Sequence, residues 1–461
     1  MYAVVGLFLC MCIYFGYFIQ VQSEEVINNA YNSTRISRFE ERIIRGKILA
    51  ADGTVLAETQ VDDRGQETRV YPYSDLYAHV LGYSSMGKTG VELLANYYLL
   101  SSHDRLVTKV NSQLAGEKYI GDNVVTTLDP TLQTIASEAL GKRKGAVIAM
   151  EPDTGKILAM VSKPAFNPNL INEQWESLIN GDNAEALLMN RATQGLYPPG
   201  STFKIVTALQ YMREHPGTYG GYQFECDGIL EFENFKIRCY HKTAHGTEDF
   251  KAAFANSCNG SFSSMGQELD RKGLKQLAEQ LLFNKQQPLA IPYNISTYEM
   301  GINATQWEIA QTVIGQGNTL MTPMHNLMLM SSIANGGMLM KPYLIERVEN
   351  TEGEIVKKIM PKQYGNLMNA DESKALKKLL EAVVTDGTGS ALKTDGYTAA
   401  GKTGSAEVDN GKDTHAWFVG YAPADKPKIA VCVLVEEGGS GGQAAAPIAR
   451  ALFDAYIEKE R

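Results

Sequence analysis

The first nineteen residues, Met1 to Ile19, carry no charged side chain and no proline. At about 1.5 Å per helical residue, such a run approaches the roughly 30 Å of a bilayer's hydrocarbon core. The pattern therefore predicts an uncleaved transmembrane anchor over residues 1–22. A cleaved signal would show a basic start, a shorter apolar stretch and a small-residue cleavage site, and the chain has none of them. Glu24 and Glu25 follow with no Lys or Arg beside them, which suits a single-pass protein whose body lies on the extracytoplasmic side of the cell membrane.

Beyond the anchor the periodicity shortens. Apolar runs at Ile43–Leu49 and Thr54–Ala57 flank Asp52-Gly53, a pair that tolerates the turn of a hairpin. Thr89–Leu100 reads as helical, and so does Pro130–Leu140 behind the N-cap candidate Asp129. Residues 23–140 thus form a small mixed α/β pedestal, too small to hold an enzyme site of its own. A basic break, Gly141-Lys142-Arg143-Lys144-Gly145, separates it from the rest. Two apolar runs, Ala146–Met150 and Ile157–Val161, then surround Asp153-Thr154-Gly155 as a predicted hairpin. Helical patterns fill the middle of the chain. Strands return at Ala416–Tyr421 and Ile429–Val435, and a helix over Ala445–Lys459 closes the sequence. Strands at both ends with helices between predict an α+β, three-layer domain over 141–461 whose terminal strands share one sheet. The glycine run Gly438–Gly442 reads as a flexible turn before the last helix.

Composition narrows the function classes. With 44% hydrophobic and 21% charged residues, the chain is neither disordered nor fibrous. A formal charge of −9 argues against nucleic acid as a partner. Two stretches, Gly82–Thr89 (GYSSMGKT) and Gly396–Thr403 (GYTAAGKT), satisfy the phosphate-loop pattern G-x-x-x-x-G-K-T. That motif works only between a strand and a helix. No helix can start at Gly404-Ser405-Ala406-Glu407, and no strand ending in Asp follows the first match to hold magnesium. Nucleotide binding is rejected.

A different chemistry is written at Tyr197-Pro198-Pro199-Gly200, which breaks the chain before Ser201-Thr202-Phe203-Lys204 and the apolar helix Ile205–Met212. Ser201 falls at a helix start, with Lys204 one turn on along the same face. A serine hydroxyl needs a base to become a nucleophile, and an amine serves once burial and the helix dipole lower its pKa. Alone, S-x-x-K is common; Ser85-Met86-Gly87-Lys88 is a second instance. Here it is followed in order by Ser257-Cys258-Asn259 and Lys402-Thr403-Gly404, a trio that resembles the S-x-x-K, S-D-N and K-T-G signature of serine acyl-transferases, with Cys258 in the place of its Asp.

The text around the trio resembles penicillin-binding proteins: Asn190–Lys204, Gly145–Asn169, Gly315-Gln316-Gly317 with Thr322-Pro323, and Ala416–Tyr421. Arg45-Gly46-Lys47-Ile48 and Asp52-Gly53 resemble the opening of the class B subgroup's N-terminal domain. The resemblance implies a transpeptidase domain like that of serine β-lactamases, an antiparallel sheet with flanking helices plus an all-helical subdomain, behind a dimerisation-type pedestal. It implies that Ser201 attacks the carbonyl between the two terminal D-alanines of a peptidoglycan stem peptide, and that Lys204 takes its proton. Ser257 would relay that proton to the leaving amine, Asn259 would hold the substrate amide, and Lys402 with Thr403 would bind the terminal carboxylate. Gly404 would leave the strand edge open for substrate. The backbone N–H groups of Ser201 and Ser405 would form the oxyanion hole. Penicillin and other β-lactams would acylate the same serine, a polytopic glycan polymerase would be the membrane partner, and no metal or organic cofactor would be needed. A D,D-carboxypeptidase and a penicillin-sensing receptor are the alternatives.

Six cysteines remain. No pair has zinc-finger spacing, so structural zinc is not expected, and His241 and His245 near Cys239 read as surface histidines of a hairpin. For Cys258, inside the second motif, three states are open: a free buried thiol, a Cys239–Cys258 disulfide distorting the site, or exclusion from a Cys226–Cys239 bridge.

Overall fold

The computed structural model describes residues 2–18, 41–180, 186–408 and 413–460. Helix α1 (Tyr2–Tyr17) has 16 residues, none of them buried. Sixteen residues rise only about 24 Å, and among the described residues no helix is long and apolar enough to cross a membrane. The spanning segment expected over 1–22 is thus seen only as this shorter helix; its last residues, 19–22, lie outside the described ones.

In the pedestal the Asp52-Gly53 turn forms as expected. Gly53 takes φ +89°, open to a residue without Cβ, and the Ala50 N–H donates to Thr54 O at 2.8 Å. The turn joins β1 (Ile48–Leu49) antiparallel to β2 (Val55–Val61), with β3 (Glu67–Val70) beyond it. On its other side β1 runs parallel to β4 (Asn123–Thr126). Glu92 is fully buried beside this sheet and accepts from Arg45 Nε at 2.7 Å and Arg69 Nε at 2.8 Å. Burial alone would raise its carboxyl pKa, but the two guanidiniums outweigh burial and hold it down at about 2. Helix α2 (Pro130–Leu140) starts where Asp129 accepts from the N–H groups of Thr131 and Leu132, with Pro130 in the first turn.

Past the basic break, β5 (Gly145–Met150) and β6 (Ile157–Lys163) form the predicted hairpin. Further on, β7 (Ile345–Glu349) and β8 (Ile355–Lys358) do not join it. They extend the pedestal sheet, whose order is β8-β7-β4-β1-β2-β3. The chain then supplies β9 (Ala400–Ala406), β10 (His415–Ala422) and β11 (Ile429–Val435). These complete an antiparallel sheet of order β9-β10-β11-β5-β6, so the strands from both ends of the domain do share a sheet.

Every residue of β10 and β11 is buried, because both faces of the sheet are covered. The remaining helices that matter are α3 (Lys204–Glu214), α4 (Asn259–Glu268), α5 (Pro323–Ala334), α6 (Ala370–Thr385) and α7 (Ala446–Glu460). On one face Leu132 of α2 and Leu452 and Phe453 of α7 pack on Val147, Phe418 and Val433. On the other, Ile148, Val419 and Cys432 meet Met328 of α5 and Phe203. This doubly covered sheet is why its strands read as apolar runs rather than alternations.

One expectation changes and another holds. The glycine run 438–442 is no free turn: a Cβ on Gly441 would lie 2.2 Å from Trp417 O and 2.4 Å from Gly404 O, so the chain presses against the sheet. The phosphate-loop matches dissolve as anticipated. Gly82–Thr89 links two helices, 78–81 and 90–94, and Lys402-Thr403 lies within β9.

Candidate active site

Pro198, Pro199 and Gly200 (φ +53°) deliver the chain into a 3-10 turn, Gly200–Phe203, that runs straight into α3. This turn is tied down on several sides. The Gly200 N–H donates to Gly315 O at 2.9 Å, an approach only glycine permits, since a Cβ on Gly315 would sit 2.0 Å from Gly200 O. Trp417 Nε1–H donates to Pro198 O at 3.0 Å, and Asn326 Nδ2–H to Thr202 Oγ1 at 3.1 Å. Ser201 is the partly exposed residue of a turn that is otherwise buried.

Lys204, one turn on, is fully buried. Its Nζ donates to Ser257 O at 2.6 Å, Asn259 Oδ1 at 2.7 Å and Ser257 Oγ at 3.3 Å. Among the hydrogen bonds of the described residues, none links Lys204 to Ser201 Oγ. Burial pushes the Lys204 amine down to about 8. Lys402, on the edge strand β9, is equally buried and donates to Ser257 Oγ at 2.8 Å and Thr403 O at 3.0 Å. Burial first, and the Lys204 charge second, hold its pKa well below the usual amine range. Ring faces partly replace the lost water: Phe262 lies 5.3 Å from Lys204 Nζ and Phe254 5.8 Å from Lys402 Nζ.

Ser257 thus bridges two amines through one hydroxyl. It is held at φ +57°, a left-handed conformation costly for a serine. Asn259 opens α4 and donates from Nδ2 to Arg238 O at 2.9 Å. Thr403 Oγ1 shares a 2.6 Å hydrogen bond with Thr388 Oγ1. Ser201, Ser257, Asn259, Thr403, Gly404 and Ser405 all line one cavity of about 730 Å³. Lys204 and Lys402 are joined to it from below through Ser257. β9 pairs with β10 on one side only, so among the described strands its other edge is open.

The structure therefore gathers all eight residues that the sequence singled out. Sequence reasoning did not find Thr388, which the chain sets 15 positions before its partner, nor the roles of Gly315 and Gly441, whose signal was only their lack of a side chain. It also missed a cluster at the cavity wall, of which Cys239 and His245 line the cavity. Cys226, Cys239, Cys258 and His245 place their ligand atoms within 4.8 Å of one another. The cysteines are free thiols, so neither bridge considered above is formed. His241 is exposed as expected, but His245 is half-buried, with its Nδ1 3.3 Å from Cys226 Sγ. A full ligand set is present after all. Sequence spacing concealed it because four separate segments supply one ligand each.

A nucleophile-bearing turn beside an open strand edge, with buried amines meeting at a second hydroxyl, defines a serine acyl-transferase. Residues 145–454 match the family model described as the penicillin binding protein transpeptidase domain, and residues 45–124 the penicillin binding protein A dimerisation domain. The chain belongs to the penicillin-binding protein transpeptidase family. It is 33% identical over 451 residues to the peptidoglycan D,D-transpeptidase PbpA of Mycolicibacterium smegmatis, covering 90% of this chain and 89% of that protein. Among solved structures, it superposes on the D,D-transpeptidase domain of a peptidoglycan glycosyltransferase from Eggerthella lenta with TM-score 0.81 and 31% identity, covering 91% of this chain and 99% of the other. The ceftriaxone acyl-enzyme complex of penicillin-binding protein A from M. tuberculosis gives TM-score 0.80 at 30% identity, with 91% and 99% covered.

Proposed function

We propose that this chain is a serine D,D-transpeptidase that cross-links peptidoglycan stem peptides through an acyl-enzyme on Ser201, and that β-lactams acylate the same residue. The observation that carries this reading is the Ser257 hydroxyl held between two buried amines, in the wall of the cavity that Ser201 lines. Ser201 Oγ attacks the carbonyl of the penultimate D-alanine; an O–C bond forms as the C–N bond to the last D-alanine breaks. Lys204, its amine made partly neutral by burial, takes the serine proton. Ser257, which can accept and donate at once, passes a proton to the departing amine. Hydrogen bonds of this kind tighten when substrate enters.

Asn259 orients the substrate amide. Lys402 and Thr403 attract and bind its carboxylate, while the backbone N–H groups of Ser201 and Ser405 receive the developing oxyanion. Gly404 lets the substrate lie along the free edge of β9 as an added strand. An acceptor amine then takes the acyl group. By this reading residues 1–22 anchor the chain, 23–140 form the pedestal and 141–461 the transpeptidase domain, with the catalytic body outside the cell membrane and a polytopic glycan polymerase as partner.

Fluorescent penicillin should label the full chain and not Ser201→Ala. Label retained on the alanine variant overturns the choice of nucleophile. Supplying a D-amino acid acceptor should yield the exchanged peptide; hydrolysis alone would identify a carboxypeptidase.

A further inference from the structure

Residues 236–243 (KIRCYHKT) line the same cavity as Ser201, Ser257 and Asn259, yet their charge has no part in the acyl transfer described above. They carry the fixed cations Lys236, Arg238 and Lys242 and no carboxylate, in a chain whose formal charge is −9. Local structure explains where these cations point. The strand Lys236–Arg238 pairs antiparallel with Ile229–Glu231. Ile237 and Cys239 are buried, and side chains alternate along a strand, so Lys236 and Arg238 face the other way. Lys236 is tied to Glu231. Arg238 and Lys242 are exposed, and among the described residues neither side chain has an ion pair or a hydrogen bond.

The wall is fastened on three sides. At its start the Trp307 ring meets the Phe235 ring edge-on at 5.2 Å. In its middle Asn259 Nδ2–H donates to Arg238 O at 2.9 Å. At its end the Lys242 N–H donates to Cys239 O at 2.8 Å, and a Cβ on Gly228 would lie only 2.4 Å from Lys242 O. His241 and Lys242 are both held in the left-handed region, at φ +52° and +57°. Such a conformation is costly away from glycine and collects where a chain clamps a ligand.

We propose that Arg238 and Lys242 form a second carboxylate subsite, which takes an internal carboxylate of the acyl-donor stem peptide, separate from the terminal one assigned to Lys402 and Thr403.

The subsite rests on the transpeptidase reading and names a feature of its substrate. A stem peptide offers such a group on the γ-linked D-glutamate, whose α-carboxylate is free. Where the diamino acid is diaminopimelate, the end of its side chain offers another. An arginine guanidinium stays charged, and its fork matches a carboxylate with two parallel hydrogen bonds. Within a cavity, cations of one sign focus the field more strongly than on an open surface. The acids that also line the cavity leave this charge in place: Asp386 lies 3.8 Å from Lys251, and Glu407 follows the end of β9. The hydrogen bond from Asn259 to Arg238 O sets the wall beside the residue that orients the donor amide, which is why the donor, rather than the acceptor, is the strand that is read.

The test compares donors on one protein, the full chain in detergent. Soluble pentapeptides ending in D-Ala-D-Ala are supplied with both internal carboxylates free, with the glutamate amidated, or with the diaminopimelate side chain amidated. Release of D-alanine gives kcat/KM for each. Wild type should use the doubly free peptide about tenfold or more faster than one of the amidated forms, and the form that suffers names the carboxylate bound. Arg238→Ala and Lys242→Ala should each shrink that ratio, and the double variant should bring it to about one. Arg238→Lys should restore part of it, and the change should fall on KM rather than kcat. Added salt should shrink the ratio in wild type. A general loss of activity cancels in each ratio, and penicillin labelling reports whether a variant is folded. Equal rates for all peptides in wild type, or a preference that survives in the double variant, overturns the subsite alone. Penicillin-reactive wild type that releases D-alanine from none of the peptides overturns the transpeptidase reading, and the subsite with it.

Discussion

Lys204 decides how the nucleophile is made. A buried amine held at about 8 is largely protonated at neutral pH, and only its neutral form can accept the Ser201 proton. The sign follows directly: the pKa is lowered, so the active form accumulates as pH rises. The second-order rate of penicillin acylation should climb about tenfold per pH unit below 8 and flatten above it. A rate independent of pH between about 6 and 9 would remove Lys204 as the base. Lys204→Arg, always protonated, should lower the rate about 10²-fold or more at every pH. The sequence disclosed Ser201 and Lys204 because their spacing is local, one helical turn. It did not disclose that Ser257 Oγ would face both amines, since Lys402 comes 145 positions later. That meeting depends on β9 being folded against the Gly200–Phe203 turn and α4 against α3. The grouping of Cys226, Cys239, His245 and Cys258 was hidden for the same reason.

Among the elements, those with a strong local signal were legible. Asp129 and Pro130 announce α2, and it forms over the very residues expected, Pro130–Leu140. The runs that became β5, β6, β10 and β11 were equally plain, because burial on both faces demands unbroken apolar sequence. The glycine run at 438–442 was misjudged, since glycine reads as freedom in sequence but here permits close backbone packing beside Gly404. Helix α1 is the other departure. Its 16 described residues are wholly exposed and almost entirely apolar, a surface that soluble proteins seldom leave uncovered. Full-length protein should sediment with membranes and resist alkaline carbonate. A chain lacking residues 1–22 should be recovered in the soluble fraction with penicillin labelling intact. Wild type that stays soluble without detergent would rule out the anchor.

For the whole molecule, the unexpected feature is the β7–β8 hairpin, which leaves the transpeptidase region to pair with pedestal strand β4 through Val348 and Val124. Ile345 and Val348 are buried there. Deleting residues 1–140 should expose these side chains and an unpaired strand edge, lowering the melting temperature by several degrees and promoting aggregation. A truncated chain as stable as one lacking only residues 1–22 would show the two parts to be independent. The amino-acid order alone determined the class of chemistry, the terminal strands and the nucleophile's helix, because hydrophobic period, capping and short motifs act over a few residues. Only the tertiary structure decided which distant groups share a hydroxyl, which sheet receives the β7–β8 hairpin, and that three thiols and an imidazole converge. Those outcomes depend on packing between segments far apart in the chain, for which sequence spacing carries no distance.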